Sequence, residues 1–205
     1  MGKKAVAKIE DKRQAILDAA LGLFADQGFH GTSVPEVARE AGVAAGTIYR
    51  YFDGKDAMVN ALYRHWRETV RAFLLDDFPI GAAPREQFSA YFQRLAQFAI
   101  AHPKVIAFLD FHHHAPYLDS KSLQAERIGR ETLKPFIEHA QQQGYLKAVQ
   151  PEVIMAVTIG ALIGLVKASR EGNLKLTATV LKDAEEVCWS GVATPAQRGA
   201  RPSKT

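Results

Sequence analysis

Apolar residues recur with the period of an α-helix along most of this chain. In the segment from Ile16 to Phe24 the apolar positions are spaced i, i+3, i+4, i+7 and i+8, which places them on one helical face. No alternation of polar and apolar residues typical of strands stands out in the 205 residues. The sequence therefore predicts an all-α fold.

Glycine and proline residues divide this pattern into segments, since both tend to end helices. The clearest predicted helix boundaries are at Pro103, Pro116, Gly144, Pro151 and Gly172. The pattern predicts about nine helices, at roughly residues 9–28, 34–41, 44–52, 56–76, 85–101, 103–113, 119–143, 151–171 and 177–191. The polar tail is predicted to be disordered.

Length and composition limit the class of protein. The 205 residues suffice for one large domain, or for a small domain joined to a larger one. A formal net charge of +4 permits a polyanionic partner, although the charges of residues 1–55 nearly balance and predict no broad basic patch. The single cysteine, Cys188, cannot form an internal disulfide.

Neither the first residues nor the most apolar run indicates a secreted or membrane protein. Residues 1–10 contain lysines with no apolar stretch behind them, so we expect no signal peptide. The apolar run Val153–Val166 is 14 residues long, whereas a transmembrane helix needs about 20. We therefore expect a buried helix in this run, no membrane partner and a cytoplasmic protein.

Two short helices joined by a glycine turn follow the first helix. Ser33 and Glu36 have the spacing of a capping box, and Pro35 stands in the first helical turn, where its missing N–H costs little. Gly42 frees the turn from the strain that a Cβ atom would bring. Three helices within the first 52 residues, with such a turn, are typical of a helix-turn-helix.

The third helix is predicted to have a face that is free to bind a partner. If Ile48 and Phe52 pack into the core, the other side chains of this helix turn outward or lie on its flanks. The outward residues are then Gly46 and Arg50, and the flanking residues are Thr47, Tyr49 and Tyr51. A helix of this width fits the major groove of DNA. The alternative is a three-helix domain whose exposed face has no role.

The segment TSVPEVAREAGVAAGTIYRYFDGKDAM resembles the TetR family of bacterial transcriptional repressors. The resemblance extends over residues 16–62, and its most specific part reads AGV–AGTIYRYF–K. The residues that carry it are Ala41, Gly42, Val43, Gly46, Thr47, Ile48, Tyr49, Tyr51, Phe52 and Lys55. The remaining residues are similar to the family in being helical and of suitable length.

The resemblance implies DNA-binding roles for several of these residues. Thr47 would contact a base or a nearby phosphate, and Tyr49 and Tyr51 would bind the phosphate backbone. Lys55 would bind a phosphate at the start of the fourth helix, and Thr32 or Ser33 would do so at the second. The complete predicted DNA-binding set is Thr32, Ser33, Ala44, Ala45, Gly46, Thr47, Tyr49, Arg50, Tyr51 and Lys55.

Ala44 and Ala45 depart from the family's pattern, which often has Ser followed by a polar or basic residue. The third helix therefore lacks a side-chain N-cap, which costs about 1 kcal/mol, and has fewer groups that can hydrogen-bond to bases. We expect it to read DNA through contacts of the two alanine methyl groups with thymine, and through DNA shape.

A dimer surface is expected because one such motif binds DNA weakly, whereas a two-fold dimer places two recognition helices about 34–36 Å apart on successive major grooves. Gly160 and Gly164 give residues 151–171 a smooth patch, and residues 177–191 could complete a four-helix bundle across the axis. The alternative is that 151–171 is only the central helix of the second domain. The predicted interface comprises Ile159, Gly160, Ile163, Gly164, Leu181, Ala184 and Cys188.

The run FHHHAPYLD offers a metal hypothesis. Three adjacent helical histidines point about 100° apart and cannot all bind one ion, but Asp110 and His114 have the i, i+4 spacing of helical metal ligands. An alternative function is therefore a helical metal sensor or metalloenzyme that uses Asp110 and His112–His114. We favour a solvated helix end over a metal site. A third option is a histidine that faces a ligand cavity.

The resemblance also implies a small-molecule effector, held in a largely apolar pocket between the helices of the larger domain. Trp66 is the favoured wall because it lies on the long helix that continues from the DNA-binding helices. Ligand binding there could tilt that helix and alter the separation of the two recognition helices. The predicted pocket residues are Trp66, Phe73, Tyr91, Phe108, Phe111, His112 and Tyr117.

Together these patterns predict a homodimeric repressor that binds a palindromic double-stranded operator and is released by an unidentified small effector. Residues 9–55 would form the helix-turn-helix domain, residues 56–192 the ligand-binding and dimerisation domain, and residues 193–205 the disordered tail. The sequence has no paired acid–base motif, nucleophile motif or phosphate-binding glycine loop, so we expect no enzyme activity and no cofactor.

Overall fold

The computed structural model describes the backbone of residues 3–111 and 115–197 and the side chains of residues 11–110 and 116–197. These residues contain nine α-helices and no named strand, so the predicted all-α fold is confirmed. The helices are α1 (Lys3–Gly31), α2 (Val34–Glu40), α3 (Ala45–Ile48), α4 (Lys55–Leu75), α5 (Pro84–Ala101), α6 (Pro103–Ile106), α7 (Ser120–Gln142), α8 (Pro151–Arg170) and α9 (Ala178–Val192).

Two predicted helices differ from the observed ones. The third α-helix ends at Ile48, because the N–H groups of Arg50 and Tyr51 bond to carbonyls three residues back and tighten the chain into turns. The helix predicted at 103–113 is the short α6 followed by a π-helical segment, Ala107–Phe111.

The chain divides into two compact units. The first contains residues 1–68 and 103–126, and the second contains residues 69–102 and 127–205. This division differs from the predicted boundary at residue 55, because α6 and the π-helical segment pack against α1. The predicted boundary rested on local sequence alone and did not include this return of the chain.

The core of the first unit joins its two sequence segments. Phe24 of α1 and Phe108 of the π-helical segment are both fully buried, with ring centroids 6.2 Å apart. Asn60 of α4 adds a polar link: its amide nitrogen donates to the carbonyl of Tyr117 at 2.8 Å, and its side-chain oxygen accepts from the N–H of Asp119 at 2.8 Å. Residues 117–119 are therefore fixed to α4 by a buried polar side chain.

The core of the second unit forms where α5, α8 and α9 pack together. Trp189 of α9 is fully buried and its ring centroid lies 5.2 Å from that of Phe88 of α5. Its indole N–H donates to the carbonyl of Gln197 at 3.0 Å, and Ala193 pairs with Leu146 in an isolated bridge. Residues 193–197 of the predicted disordered tail are thus packed, and residues 198–205 lie outside the described residues.

Helix α8 is long and apolar enough to cross a membrane, but length and composition alone are weak evidence for a span. It was predicted to be buried, and the structure shows that only one side is. Val153 and Val157 are exposed on the other side, together with Gly160 and Gly164. An exposed apolar face therefore runs along the helix.

Candidate functional site

The end of α1 and the start of α2 set the position of the first short helix. Gly28 adopts φ 70°, a conformation that other residues rarely take, and kinks α1 at the residue where the first helix is predicted to end. Beyond the kink, α1 continues to Gly31. The capping box is also present: the N–H of Ser33 donates to Oε2 of Glu36 at 2.8 Å, and the N–H of Glu36 donates to Oγ of Ser33. Hydrogen bonds from Ser33 hold the pKa of the Glu36 carboxyl below its usual range.

A tight turn joins α2 to α3. Gly42 adopts φ 65°, in the left-handed region, and the N–H of Val43 donates to the carbonyl of Ala38 at 2.9 Å. Val37 and Ala38 are buried, so α2 packs its inner side into the first unit. The turn therefore has the glycine-dependent geometry that the sequence predicts for a helix-turn-helix.

The third helix faces outward as predicted. Ile48 and Phe52 are buried, and the Arg13 guanidinium lies 5.3 Å from the centre of the Phe52 ring. Tyr49 is 60% exposed, Arg50 is exposed, and Thr47 and Tyr51 are half-buried. Ala44, Ala45 and Gly46 are also exposed, and Ala44 makes no side-chain cap. This face carries seven of the ten predicted DNA-binding residues.

The other three predicted residues have protein partners. Thr32 is 2% exposed, and its hydroxyl donates to the carbonyl of Gly28 at 2.9 Å. Burial keeps Thr32 from the surface, so the phosphate contact predicted for it is corrected to a helix-end contact. The Ser33 hydroxyl donates to Glu36 at 2.7 Å, and a phosphate would have to compete with that carboxylate.

Lys55 closes the end of α1. Its ammonium group donates to the carbonyls of Phe29 at 2.7 Å and of Thr32 at 2.8 Å, and lies 4.1 Å from the centre of the Phe29 ring. These carbonyls belong to residues 26 and 23 positions earlier in the chain. An ammonium group has three donors, so one hydrogen atom is not engaged in these two bonds. Lys55 thus has a structural role besides the predicted phosphate contact.

We expect Lys55→Met to lower the free energy of unfolding by about 2 kcal/mol, because two charge-assisted hydrogen bonds and a cation–π contact are lost. Urea unfolding at fixed protein concentration measures this loss. Lys121→Met, which removes a lysine that is exposed, serves as the control and should change stability by less than about 0.5 kcal/mol. Equal stability of the two variants would contradict the role given to Lys55.

An apolar cavity lies in the second unit. The space between its walls, including the part that is open to solvent, amounts to roughly 580 Å³. Aromatic and aliphatic side chains of α5, α7 and α8 form most of its wall, and Phe78 lies in the loop before α5. The Arg94 guanidinium fixes that loop by donating to the carbonyls of Leu74, Asp76 and Asp77. Such a cavity suits a small apolar ligand.

Most of the residues predicted to line a pocket do not line this cavity: among those that the structure describes, only Tyr91 does. Phe108 is buried in the first unit beside Phe24, and Tyr117 stacks on Phe29 with ring centroids 3.8 Å apart. Trp66 is half-buried, Phe73 is exposed, and neither lines the cavity. The Phe111 side chain and His112 lie outside the described residues. The residues missed by the sequence analysis include Phe78, Phe88, Phe136 and Thr158.

The residues predicted for the dimer surface differ in their exposure. Gly160 and Gly164 are exposed, but Cys188 is 4% exposed. Cys188 therefore faces the interior, where burial raises the pKa of its thiol, and its place in the surface is corrected. Ile159, Ile163, Leu181 and Ala184 are half-buried. Val153 and Val157 are not among the predicted residues, and their spacing to Gly160 and Gly164 continues one exposed helical stripe.

No metal cluster supports the alternative function within the described residues, where no three candidate ligands lie together. Asp110 is exposed, and His112–His114 lie outside the described residues.

The glycine turn, the capping box and the outward-facing third helix define a helix-turn-helix protein of the DNA-binding class. A family model for bacterial regulatory proteins of the tetR family matches residues 16–62, and one for the tetracyclin repressor-like C-terminal domain matches residues 64–194. The second match alone covers more than half of the chain. The chain therefore belongs to the TetR family of bacterial transcriptional regulators.

Known relatives are regulators of the same type. The chain is 26% identical over 140 residues to the HTH-type transcriptional repressor KstR2 of Mycobacterium tuberculosis, covering 68% of this chain and 64% of that protein. It is 25% identical over 130 residues to the HTH-type regulator YuxN of Bacillus subtilis, but spans only 45% of its length. A TetR family regulator from Marinobacter aquaeolei VT8 has the same fold, with a TM-score of 0.81 at 23% identity over 91% of this chain and 98% of that one.

Proposed function

We propose that this protein is a homodimeric repressor that binds a palindromic DNA operator and leaves it when a small, largely apolar effector enters the cavity of the second unit. The observation that carries the proposal is the outward face of α3 and the turns that follow it. Buried Ile48 and Phe52 hold this segment in place, while Gly46, Tyr49 and Arg50 are exposed and can contact DNA. The name of KstR2 as a repressor favours repression over activation. Such a protein acts on DNA in the cytoplasm and needs no catalytic residue.

The recognition helix would read DNA with few hydrogen bonds. Ala44 and Ala45 are exposed and offer methyl groups to thymine, while Thr47 lies at the edge of the same face. The hydroxyls of Tyr49 and Tyr51 would bind phosphates and fix the register of the helix in the groove. We therefore propose an operator rich in A·T pairs where the helix begins.

The test is binding of the DNA upstream of the protein's own gene, measured by fluorescence anisotropy. Binding to DNA releases condensed counterions, so affinity falls as the salt concentration rises. We expect binding to weaken on the order of 10³-fold between 50 and 200 mM salt. Unrelated DNA of equal length is the control and should bind at least 10³-fold more weakly at the higher salt concentration. Equal affinity for both DNAs would contradict the proposal.

The dimer would form through the apolar stripes of α8 and α9. These helices pack against each other, and each exposes apolar residues: Val153 and Val157 on α8, and Val187, which is 72% exposed, on α9. Gly160 and Gly164 would let a helix of the second copy approach closely. Four helices from two copies would then bury faces that water contacts in the single chain.

We expect Val157→Glu to raise the dissociation constant of the dimer at least 100-fold, because two-fold symmetry would place two desolvated carboxylates in the interface. Sedimentation velocity over a protein concentration series measures this change. Ile100→Glu makes the same change at another exposed apolar residue, on α5, and should leave the dimer intact. A dimer of unchanged affinity in Val157→Glu would show that the interface lies elsewhere.

A further inference from the structure

We propose that the cavity takes a neutral ligand, mostly hydrocarbon, with one oxygen that hydrogen-bonds to the Thr158 hydroxyl. This inference rests on the proposed function, in which the same cavity holds the effector. An alcohol or a ketone carried on an apolar ring or chain would have this chemistry.

Thr158 is the first observation. It lies on α8, lines the cavity and is 4% exposed, yet its Oγ1 has no hydrogen-bond partner in the part of the chain that the structure describes. Threonine hydroxyls in helices commonly donate to the carbonyl four residues back, and Thr132 of α7 does so to Ile128 at 2.7 Å. A buried hydroxyl without a partner destabilises a protein, so a ligand that supplies one gains affinity there.

The uncharged wall is the second observation. None of the described side chains that line the cavity carries a charge at neutral pH, and most are aromatic or aliphatic. The amide nitrogen of Gln87, another polar wall residue, donates to the carbonyls of Pro79 and Ile80, which hold it against the loop. A ligand carboxylate buried here would have no cation in the wall to offset its desolvation.

Charged groups behind the wall are already bonded to other atoms. The Arg94 guanidinium lies 5.9 Å from the centre of the Phe78 ring and donates to two loop carbonyls and to one carbonyl of α4, the shortest bond being 2.6 Å to Asp76. Arg85 lies 6.0 Å from the centre of the Phe88 ring and is bonded to Glu185 and Glu186. These bonds favour a neutral ligand over an anionic one.

Three probes that share one skeleton test the proposal: butylbenzene, phenylbutanol and phenylbutanoate. Binding is followed by the methyl resonance of Met155, which lines the cavity, with Met58 in the core of the first unit as the internal reference. We expect phenylbutanol to bind about 5–10-fold more tightly than butylbenzene, the equivalent of one net hydrogen bond. Phenylbutanoate should bind most weakly.

Two substitutions identify the hydroxyl as the source of this preference. Thr158→Val keeps the shape of the side chain and should abolish the advantage of phenylbutanol over butylbenzene, while Thr158→Ser should retain it. The Tm of unliganded Thr158→Val should rise by about 2–4 °C, because the buried hydroxyl without a partner is gone. A residue that only packs in the core would show neither the change in probe ranking nor the rescue by serine.

The outcomes separate this proposal from the proposed function. The inference is overturned if phenylbutanol binds Thr158→Val as tightly as the wild type, if phenylbutanoate binds best, or if no probe shifts Met155. Operator affinity is measured in parallel with each probe. A Thr158-dependent preference with unchanged operator affinity supports the ligand class assigned to the cavity and counts against its role as the effector site.

Discussion

Replacing Gly46 by glutamate is expected to weaken operator binding at least 100-fold and to leave the fold intact. Gly46 is exposed on α3, and a Cβ atom built there meets no heavy atom within 4 Å. The new side chain would extend from the recognition face and bring a carboxylate against the phosphates and base edges of the groove. Like charges brought together in an interface cost several kcal/mol, and 100-fold in affinity corresponds to about 2.7 kcal/mol.

Gly81→Glu is the matched control for this substitution. Gly81 lies in the loop before α5 in the second unit, is exposed, and also has nothing within 4 Å of a built Cβ atom. Both variants change the net charge equally, so a general electrostatic effect on DNA affinity would appear in both. Anisotropy titrations with the operator, and thermal unfolding of each variant, give the comparison. Similar affinities for the two variants would refute the assignment of α3 as the recognition helix.

Replacing Arg85 by methionine is expected to lower the free energy of unfolding by about 3–5 kcal/mol. The Arg85 side chain is 3% exposed, and its guanidinium donates to Glu185 at 2.7 Å and to Glu186 at 2.8 Å. The Glu185 side chain is 7% exposed, so the substitution leaves a buried carboxylate without its cation. That loss is costly because a buried charge gives up hydration without compensation. The cation–π contact with Trp189, at 5.1 Å, is lost as well.

A second substitution tests whether the unpaired charge is the cause. Adding Glu185→Leu to Arg85→Met removes the carboxylate and should restore more than half of the lost stability, since buried ion pairs can be replaced by apolar residues at little cost. Arg64→Met removes one half of the exposed pair with Asp119 and should cost no more than about 1 kcal/mol. Urea unfolding at one protein concentration keeps the dimer contribution constant. If the double variant is no more stable than Arg85→Met, the lost stability comes from packing and not from the unpaired carboxylate.

The local rules of helix formation account for what the sequence predicted well. The capping box of Ser33 and Glu36 and the helix break at Gly28 depend on residues within a few positions of each other. The burial of Ile48 and Phe52 follows from their spacing on one helical face. The whole orientation of the candidate recognition helix could therefore be predicted before any tertiary contact was known.

The cavity and the role of Lys55 could not be predicted because they depend on contacts between distant segments. Phe108 and Phe136 are equally apolar in sequence, yet the first is buried in the first unit and the second lines the cavity of the other. Lys55 bonds to carbonyls that no spacing rule connects to it. The exposure of Val153 and Val157 could not be predicted for a different reason. Both sides of α8 are apolar in sequence, so hydrophobicity does not indicate which side is buried.

The return of residues 103–126 to the first unit has a consequence for engineering chimeric regulators. A fragment that stops near residue 68 would leave Phe24 without Phe108, and Asn60 without the backbone of residues 117–119. If such a fragment were fused to a foreign effector domain, its apolar core residues would be exposed to solvent, and the fusion protein would tend to aggregate. A functional chimera needs both segments of the first unit, residues 1–68 and 103–126. The foreign domain would replace the residues between them, and the spacing of its two ends would have to match the spacing of the ends that it joins.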